Sequence, residues 1–474
     1  MTLLRPTIKL LAAGFTLLSG CSLAPKYQRP AAPVAATYSL DASTASTPAA
    51  DLAWQQFFGD ARLRGIIQLA LENNRDLRVA ALNVERVRAI YGIQRSVLIP
   101  SLDATGDAVR QRTPATLSPT GQPVTGSVYE VGLQIPSYEI DFFGRVMSLR
   151  NQVLHQYLAT EEARRSAQIA LISAVARQYL AALAADEQLA VARQTLRAAE
   201  QSYDLNRQSF EGGVTSELDL RTAEGQREAV RASVAALEQR AAQLANGLVL
   251  LVGSPLPTDL PPVGSLATQA LVEDLPPGLP ADLLARRPDV RAAEEVLRAA
   301  NANIGVARAA FFPSIKLTAF GGSASTELSG LFESGSGRWS FAPSITLPIF
   351  AGGRNKAQLD VAWIEQRIEI AQYEQAIQNA FREVADALAV RSIIGRTIAA
   401  QQARVNAARR RYELTQQRFD AGVDPYLTVL LAQQEQFAAE QSLIDARLAR
   451  LANLTALYSA LGGGWQNDTP TAQP

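Results

Sequence analysis

Histidine and cysteine are nearly absent: His155 and Cys21 are the single examples among 474 residues. That scarcity makes a metalloenzyme, a Cys–His or Ser–His hydrolase and a disulfide scaffold all poor bets. No metal or other cofactor is implied. Net charge is lacking too, with 45 basic against 45 acidic residues, so nothing points to nucleic acid as a partner. No apolar run approaches the roughly 20 residues that a membrane helix requires, so any membrane crossing must be made by strands.

What the chain does have is one helix-to-helix turn written twice. The copies are Phe210-Glu-Gly212-Gly213-Val214-Thr-Ser216-Glu-Leu218 and Phe419-Asp-Ala-Gly422-Val423-Asp424-Pro-Tyr-Leu427. Each follows a long stretch without proline and precedes a stretch with helical patterning. Gly213 and Gly422 supply the left-handed conformation that ends a helix. Ser216 or Thr215 in the first copy, and Asp424 before Pro425 in the second, are placed to cap the helix that follows.

Other segments repeat as well. Asp76-Leu77-Arg78 recurs as Asp289-Val290-Arg291, and Pro100-Ser101 as Pro313-Ser314. Gly144-Arg145 recurs as Gly353-Arg354. The period is too long for a solenoid, so a whole unit is duplicated. The expected organisation is a signal peptide over 1–20, an extended arm over 21–53 and a first repeat over 54–253. A Pro-rich linker over 254–281, a second repeat over 282–461 and a tail over 462–474 complete it. Arg5 and Lys9 ahead of the apolar run Leu10–Leu18 carry the signal assignment.

Alternation places strands near 101–111, 127–138, 314–324 and 338–349, with helical hairpins over 146–252 and 354–461. Asp60–Val97 and Asp282–Phe311 each read as one further helix. Segments of about ten residues suit a tilted membrane strand, although a soluble half-buried sheet alternates identically. The helices favour the membrane reading. The first helix of each hairpin would reach roughly 100 Å, deeper than one globular core. Val230, Val234, Leu237, Ala241, Leu244, Leu248 and Leu251 form a coiled-coil seam. Four strands cannot close a barrel, which takes about eight, so if the strands are membrane-embedded the chain must associate with copies of itself, two copies giving eight strands and three giving twelve.

The residues that carry a family resemblance span the mature chain. They are Cys21-Ser-Leu-Ala-Pro-Lys-Tyr-Gln-Arg-Pro30, Trp54-Gln-Gln-Phe-Phe58 and Glu139-Ile-Asp-Phe-Phe-Gly-Arg145. Arg287-Pro-Asp-Val-Arg291, Phe312-Pro-Ser314, Pro348-Ile-Phe-Ala-Gly-Gly-Arg354 and Ala421-Gly-Val-Asp-Pro-Tyr-Leu427 continue it. Together they resemble outer-membrane efflux factors of the TolC type, in the lipoprotein branch of OprM- and NodT-like proteins. Leu18-Ser-Gly-Cys21 resembles a bacterial lipobox, and Ser22 resembles the signal for outer-membrane sorting. The resemblance implies an α+β, mostly helical fold: a homotrimer with a twelve-strand outer-membrane barrel, a twelve-helix periplasmic tunnel and an equatorial belt. It implies lipidation at Cys21, anchoring in outer-membrane lipid, and partnership with a periplasmic adaptor and an inner-membrane resistance–nodulation–division transporter.

The seal of such a duct belongs where the hairpins converge. Asp424, Leu427, Thr428 and Leu431 share one helix face by spacing, so they are the expected periplasmic gate, with Leu427 a constriction and Asp424 an acidic ring. Gly212, Gly213, Val214, Ser216, Leu218, Gly422 and Val423 are the expected tips for adaptor docking. The family often has Tyr where Phe419 stands and Asp where Leu431 stands, so this closure is more hydrophobic. Asp141 and Arg145 read as an ion pair at a strand-to-helix junction, and His155 as a surface residue. No catalytic cluster is present, so the chain reads as a non-enzymatic exit duct for small molecules. The rival readings are a duct for type I protein secretion, a non-transporting coiled-coil lipoprotein, a periplasmic adaptor and a lipid-anchored enzyme.

Overall fold

The computed structural model describes residues 22–38, 51–276 and 280–465. The expected signal peptide and Cys21 lie outside the described residues, as do 39–50 of the arm, 277–279 of the linker and the tail beyond 465. The elements run α1 (Trp54–Phe57), α2 (Ala61–Asn73), α3 (Arg75–Ser96), β1 (Asp103–Thr113), β2 (Val124–Ile140), α4 (Arg145–Glu211) and α5 (Glu217–Val252). They continue with α6 (Pro280–Arg286), α7 (Pro288–Ala309), β3 (Ser314–Ser325), β4 (Gly337–Thr346), α8 (Arg354–Asp420) and α9 (Tyr426–Ala460). Both α4 and α8 are single helices of 67 residues.

The chain packs as two compact units. One takes residues up to Ala31 with Asn83–Glu161 and Ala292–Tyr373; the other takes Ala32–Leu82, Glu162–Arg291 and Glu374 onward. Each unit draws on both sequence repeats, so packing and duplication divide the chain differently.

In the second unit the core gathers Trp54, Phe57, Phe58, Leu63, Ile66 and Ile67. Phe57 stacks on Tyr458 at 4.0 Å between ring centroids. Two expected helices are each broken in two. The first breaks at Asn74, whose backbone leaves the helical region and whose side chain accepts from Leu77 N–H at 2.9 Å. The second breaks at Arg287, because Pro288 disfavours helical geometry in the residue before it. The breaks are equivalent in the two repeats, and each receives a glycine from the end of a hairpin. A Cβ on Gly253 would lie 2.5 Å from Asn73 O, and one on Gly462 would lie 2.9 Å from Arg286 O. Arg287 is buried there. It donates to Asp289, to Glu383 at 2.7 Å and to Ala460 O at 3.0 Å. Among the described residues α4 alone has a stretch apolar enough to cross a membrane, yet its Ile172, Val175, Leu180 and Leu183 are buried in protein. The expected seam on α5 faces inward: Val230, Val234 and Leu248 are buried and the rest half-buried.

The first unit holds one antiparallel sheet in the order β1-β2-β3-β4. Register segregates its faces. Ala104, Leu133, Gly321 and Trp339 form one row, and Ala319 and Phe341 join Ile135 in the next. Asp103, Thr105 and Asp107 lie on the opposite face with Gln134, Gly132 and Glu130. Pairing jumps from Ile135 to Tyr138, a bulge at Pro136-Ser137. Proline has no N–H for the ladder, and the extra residue keeps Tyr138 and Ile140 on the apolar face. β4 stops at Thr346, short of the expected 349. The apolar face is bare: Trp339 is 80% and Ile345 70% exposed. A soluble half-buried sheet would cover that face with protein.

Where strands meet helices, aromatic residues cluster. Phe143 stacks on Phe312 at 4.8 Å, while Phe142, Phe311 and Phe350 are exposed. The expected Asp141–Arg145 pair is corrected here. Arg145 pairs with Glu139, and Asp141 instead accepts from Met147 N–H at 2.8 Å, capping α4. His155 is also not a free surface group, since its Nδ1 lies 2.6 Å from Glu295 and the ring is largely covered.

The arm is strapped along α7. Arg308 donates to Leu23 O at 3.0 Å, Asn301 to Pro25 O at 2.9 Å, and Arg29 grips Glu294 at 2.7 and 3.0 Å. Burial alone would raise the pKa of Glu294, but hydrogen bonds from Arg298 and Arg29, with their charge, outweigh it and hold it below the ordinary value. A depressed carboxylate contributes stability above its unfolded pKa and loses it as pH falls through the folded one. Amide-exchange protection of residues 22–31, corrected for intrinsic rate, is therefore expected to persist at neutral pH. It should collapse only below the ordinary glutamate range, and Glu294→Gln should weaken it already at pH 7.

Candidate functional site

Both hairpin turns, in the second unit, close by the same hydrogen bonds. After α4, Val214 N–H donates to Ser209 O at 2.8 Å and Gly213 N–H to Phe210 O at 2.9 Å. After α8, Val423 N–H donates to Arg418 O at 2.8 Å and Gly422 N–H to Phe419 O at 2.9 Å. This is a Schellman closure, and it places Gly213 at φ +72 and Gly422 at φ +70, where side chains other than glycine are strained.

The helices that follow start differently. Ser216, rather than Thr215, caps α5 in a reciprocal box with Asp219. Asp424 does not cap α9: Pro425 is the cap residue and makes no side-chain cap bond. The Asp424 carboxylate folds back across the turn onto Arg418, at 2.6 and 2.9 Å. Hydrogen bonds from that guanidinium hold its carboxyl below the usual range, so it stays ionised and paired. The free acidic ring expected at Asp424 thus becomes a neutralised ion pair. The repeat shows what the sequence reading missed, because Ser209 and Thr215 occupy the equivalent places in the first turn, which has no clip.

Of the expected gate residues, Leu427 and Leu431 are 53% and 49% exposed on one side of α9, with Thr428 half-buried beside them. The opposite side packs. Tyr426, Val429 and Leu430 are buried with Ala223 of α5, against Tyr203, Tyr412 and Phe419. Phe419 meets Tyr426 edge-on at 5.7 Å, and Gln434 donates to Gln226 across the hairpins at 2.7 Å. The two tips also differ in charge. From Pro425 to Gln434 no residue is charged, whereas Glu217, Asp219, Arg221 and Glu224 crowd the matching stretch of α5. Val214, Leu218 and Val423 are exposed at the turns themselves.

The family model for outer membrane efflux proteins matches residues 66–254 and 279–463, a stretch that takes in both helical hairpins and all four strands. The chain belongs to that family. This efflux protein is 50% identical over 460 residues to the toluene efflux pump outer membrane protein TtgF of Pseudomonas putida, covering 95% of each chain. It is 45% identical to the outer membrane protein OprJ of Pseudomonas aeruginosa, covering 94% of each. The solved open state of the Neisseria gonorrhoeae MtrE outer membrane channel matches it at a TM-score of 0.88 and 42% identity, over 95% of this chain and 100% of that one. The fold is thus that of the TolC-like channels, located in the outer membrane and extending into the periplasm.

Proposed function

We propose that this efflux protein is the exit duct of a tripartite resistance–nodulation–division pump, a lipid-anchored homotrimer that passes small molecules outward and performs no catalysis. The bare apolar face of a four-stranded sheet with two open edges is the observation that carries the reading. β1 and β4 each leave a row of backbone groups unpaired, of 11 and 10 residues. Such edges cannot persist in a bilayer, and copies of the chain close them. Three copies give a twelve-strand barrel, and the polar face becomes its lumen.

The uncharged second tip supports a seal at Leu427 and Leu431, with Thr428 beside them and Asp424 clipping the turn. Exposed Val214, Leu218 and Val423, at turns fixed by Gly212, Gly213, Ser216 and Gly422, are suited to an apolar tip of a periplasmic adaptor. The strap supports lipidation at Cys21, because Leu23 is held by Arg308, a few residues before the first membrane residue of β3. Relatives named for toluene, solvent and antibiotic efflux favour small, largely apolar cargo.

Mass measurement of the detergent-purified, heat-resistant oligomer is the test. Three subunits are expected, each carrying acyl chains that Cys21→Ala removes. A monomer of intact fold would refute the duct.

A further inference from the structure

The register of the sheet sorts its charges by face. Glu130, Asp103, Asp107, Glu139, Lys316 and Arg338 all lie on the lumenal face. On the lipid-side face the only charged residues of the four strands are Arg110 and Arg112, opposite Ser127 and Thr125. Both are exposed, and neither forms an ion pair or side-chain hydrogen bond among the described residues.

Their height follows from the pairing. On β2 the apolar face runs from Ile140, at the helix end, to Tyr129, with one residue taken up by the bulge. That is about 33 Å along the strand, or about 25 Å of vertical height at the tilt of a membrane barrel, the thickness of an apolar band. Arg110 and Arg112 occupy the next two outward positions on β1, roughly 7 Å apart, beyond the band and toward the β1–β2 loop, at the end of the sheet opposite the β2–α4 junction. A cation within the band would be costly; just above it, its stem lies along apolar surface and its head reaches the headgroup layer. No carboxylate on this face competes for either guanidinium.

We propose that Arg110 and Arg112 form a binding site for the phosphate groups of the anionic glycolipid in the outer leaflet. Guanidinium groups suit phosphate through paired N–H donors, and two on one strand favour a headgroup carrying more than one phosphate. The site would seat the barrel at a fixed depth and surround it with its own lipid. This rests on the reading of the sheet as a membrane wall, which conductance reports separately.

The test is native mass spectrometry of the purified oligomer with bisphosphorylated lipid A, the same glycolipid dephosphorylated, and phosphatidylglycerol, beside an Arg110→Gln, Arg112→Gln double variant. The parent is expected to retain bisphosphorylated lipid A about tenfold better than the dephosphorylated form, and the variant to lose that preference while conducting as the parent does. Equal retention of the two glycolipids by the parent, or an unchanged preference in the variant, would overturn the site. Stronger retention of phosphatidylglycerol would overturn its assignment to the outer leaflet. A parent that bound no lipid, and carried no current even with Leu427→Ser and Leu431→Ser, would overturn the wall itself.

Discussion

Replacing Leu427 and Leu431 together by serine is expected to make cells permeable to large polar antibiotics that the outer membrane normally excludes, lowering the inhibitory concentration on the order of tenfold. The reason is geometric. Both side chains protrude from the face of α9 that its own chain leaves uncovered. In the proposed ring of copies they would present an apolar constriction, which water and hydrated solutes avoid. Exposed positions contribute little to folding, so stability should change by no more than about 0.5 kcal/mol. Leu430→Ser is the informative neighbour. Leu430 is 5% exposed in the cluster with Tyr426 and Ala223, so that substitution should cost about 3 kcal/mol and reduce the amount of folded protein. Opposite phenotypes at adjacent leucines would separate a seal from ordinary packing. Matching phenotypes would place Leu431 in the core and leave the gate elsewhere.

A second pair of neighbours tests the wall. Gly322→Ala should prevent the sheet from seating, at a cost of about 3 kcal/mol, and abolish the heat-resistant oligomer on gels. A Cβ there would stand 2.2 Å from Val131 O and 2.6 Å from Gly132 Cα, backbone atoms that cannot turn aside. The space is shared by Phe320, whose Cζ would lie 2.7 and 2.9 Å from Cβ atoms on Gly132 and Gly322 and whose ring sits under Arg338, itself tied to Glu130 at 2.5 Å. An aromatic shielding strand glycines in this way restores packing that they lack. Gly321→Ala should do nothing, because its Cβ would point to the lipid face with no atom within 4 Å. An oligomer unaffected by Gly322→Ala would contradict the register.

Much of this was legible in the sequence because the governing patterns are local. Alternation found four strands and sorted Leu133 from Gln134, and the repeated glycine-valine turn fixed both hairpin ends. The misses involve contacts that no periodicity reports. Arg418 and Asp424 are six apart, not helix neighbours, and meet only because the turn reverses the chain. Asn74 breaks its helix without a proline to announce it, whereas Pro288 signalled the equivalent break that the reading of Asp282–Phe311 as one helix passed over. The run Tyr426–Leu431 is apolar on every side except Thr428. Spacing grouped Leu427 with Leu431 but could not say which side of α9 was covered, and that depended on Ala223 and Tyr203 arriving from the other hairpin.

Single-channel recording of the purified oligomer in a planar bilayer, beside the Leu427→Ser, Leu431→Ser variant, bears most directly on the duct with a seal at its second turn. The parent is expected to show small, rare openings and the variant large, long-lived ones. A well-folded oligomer that conducts in neither form would contradict the account.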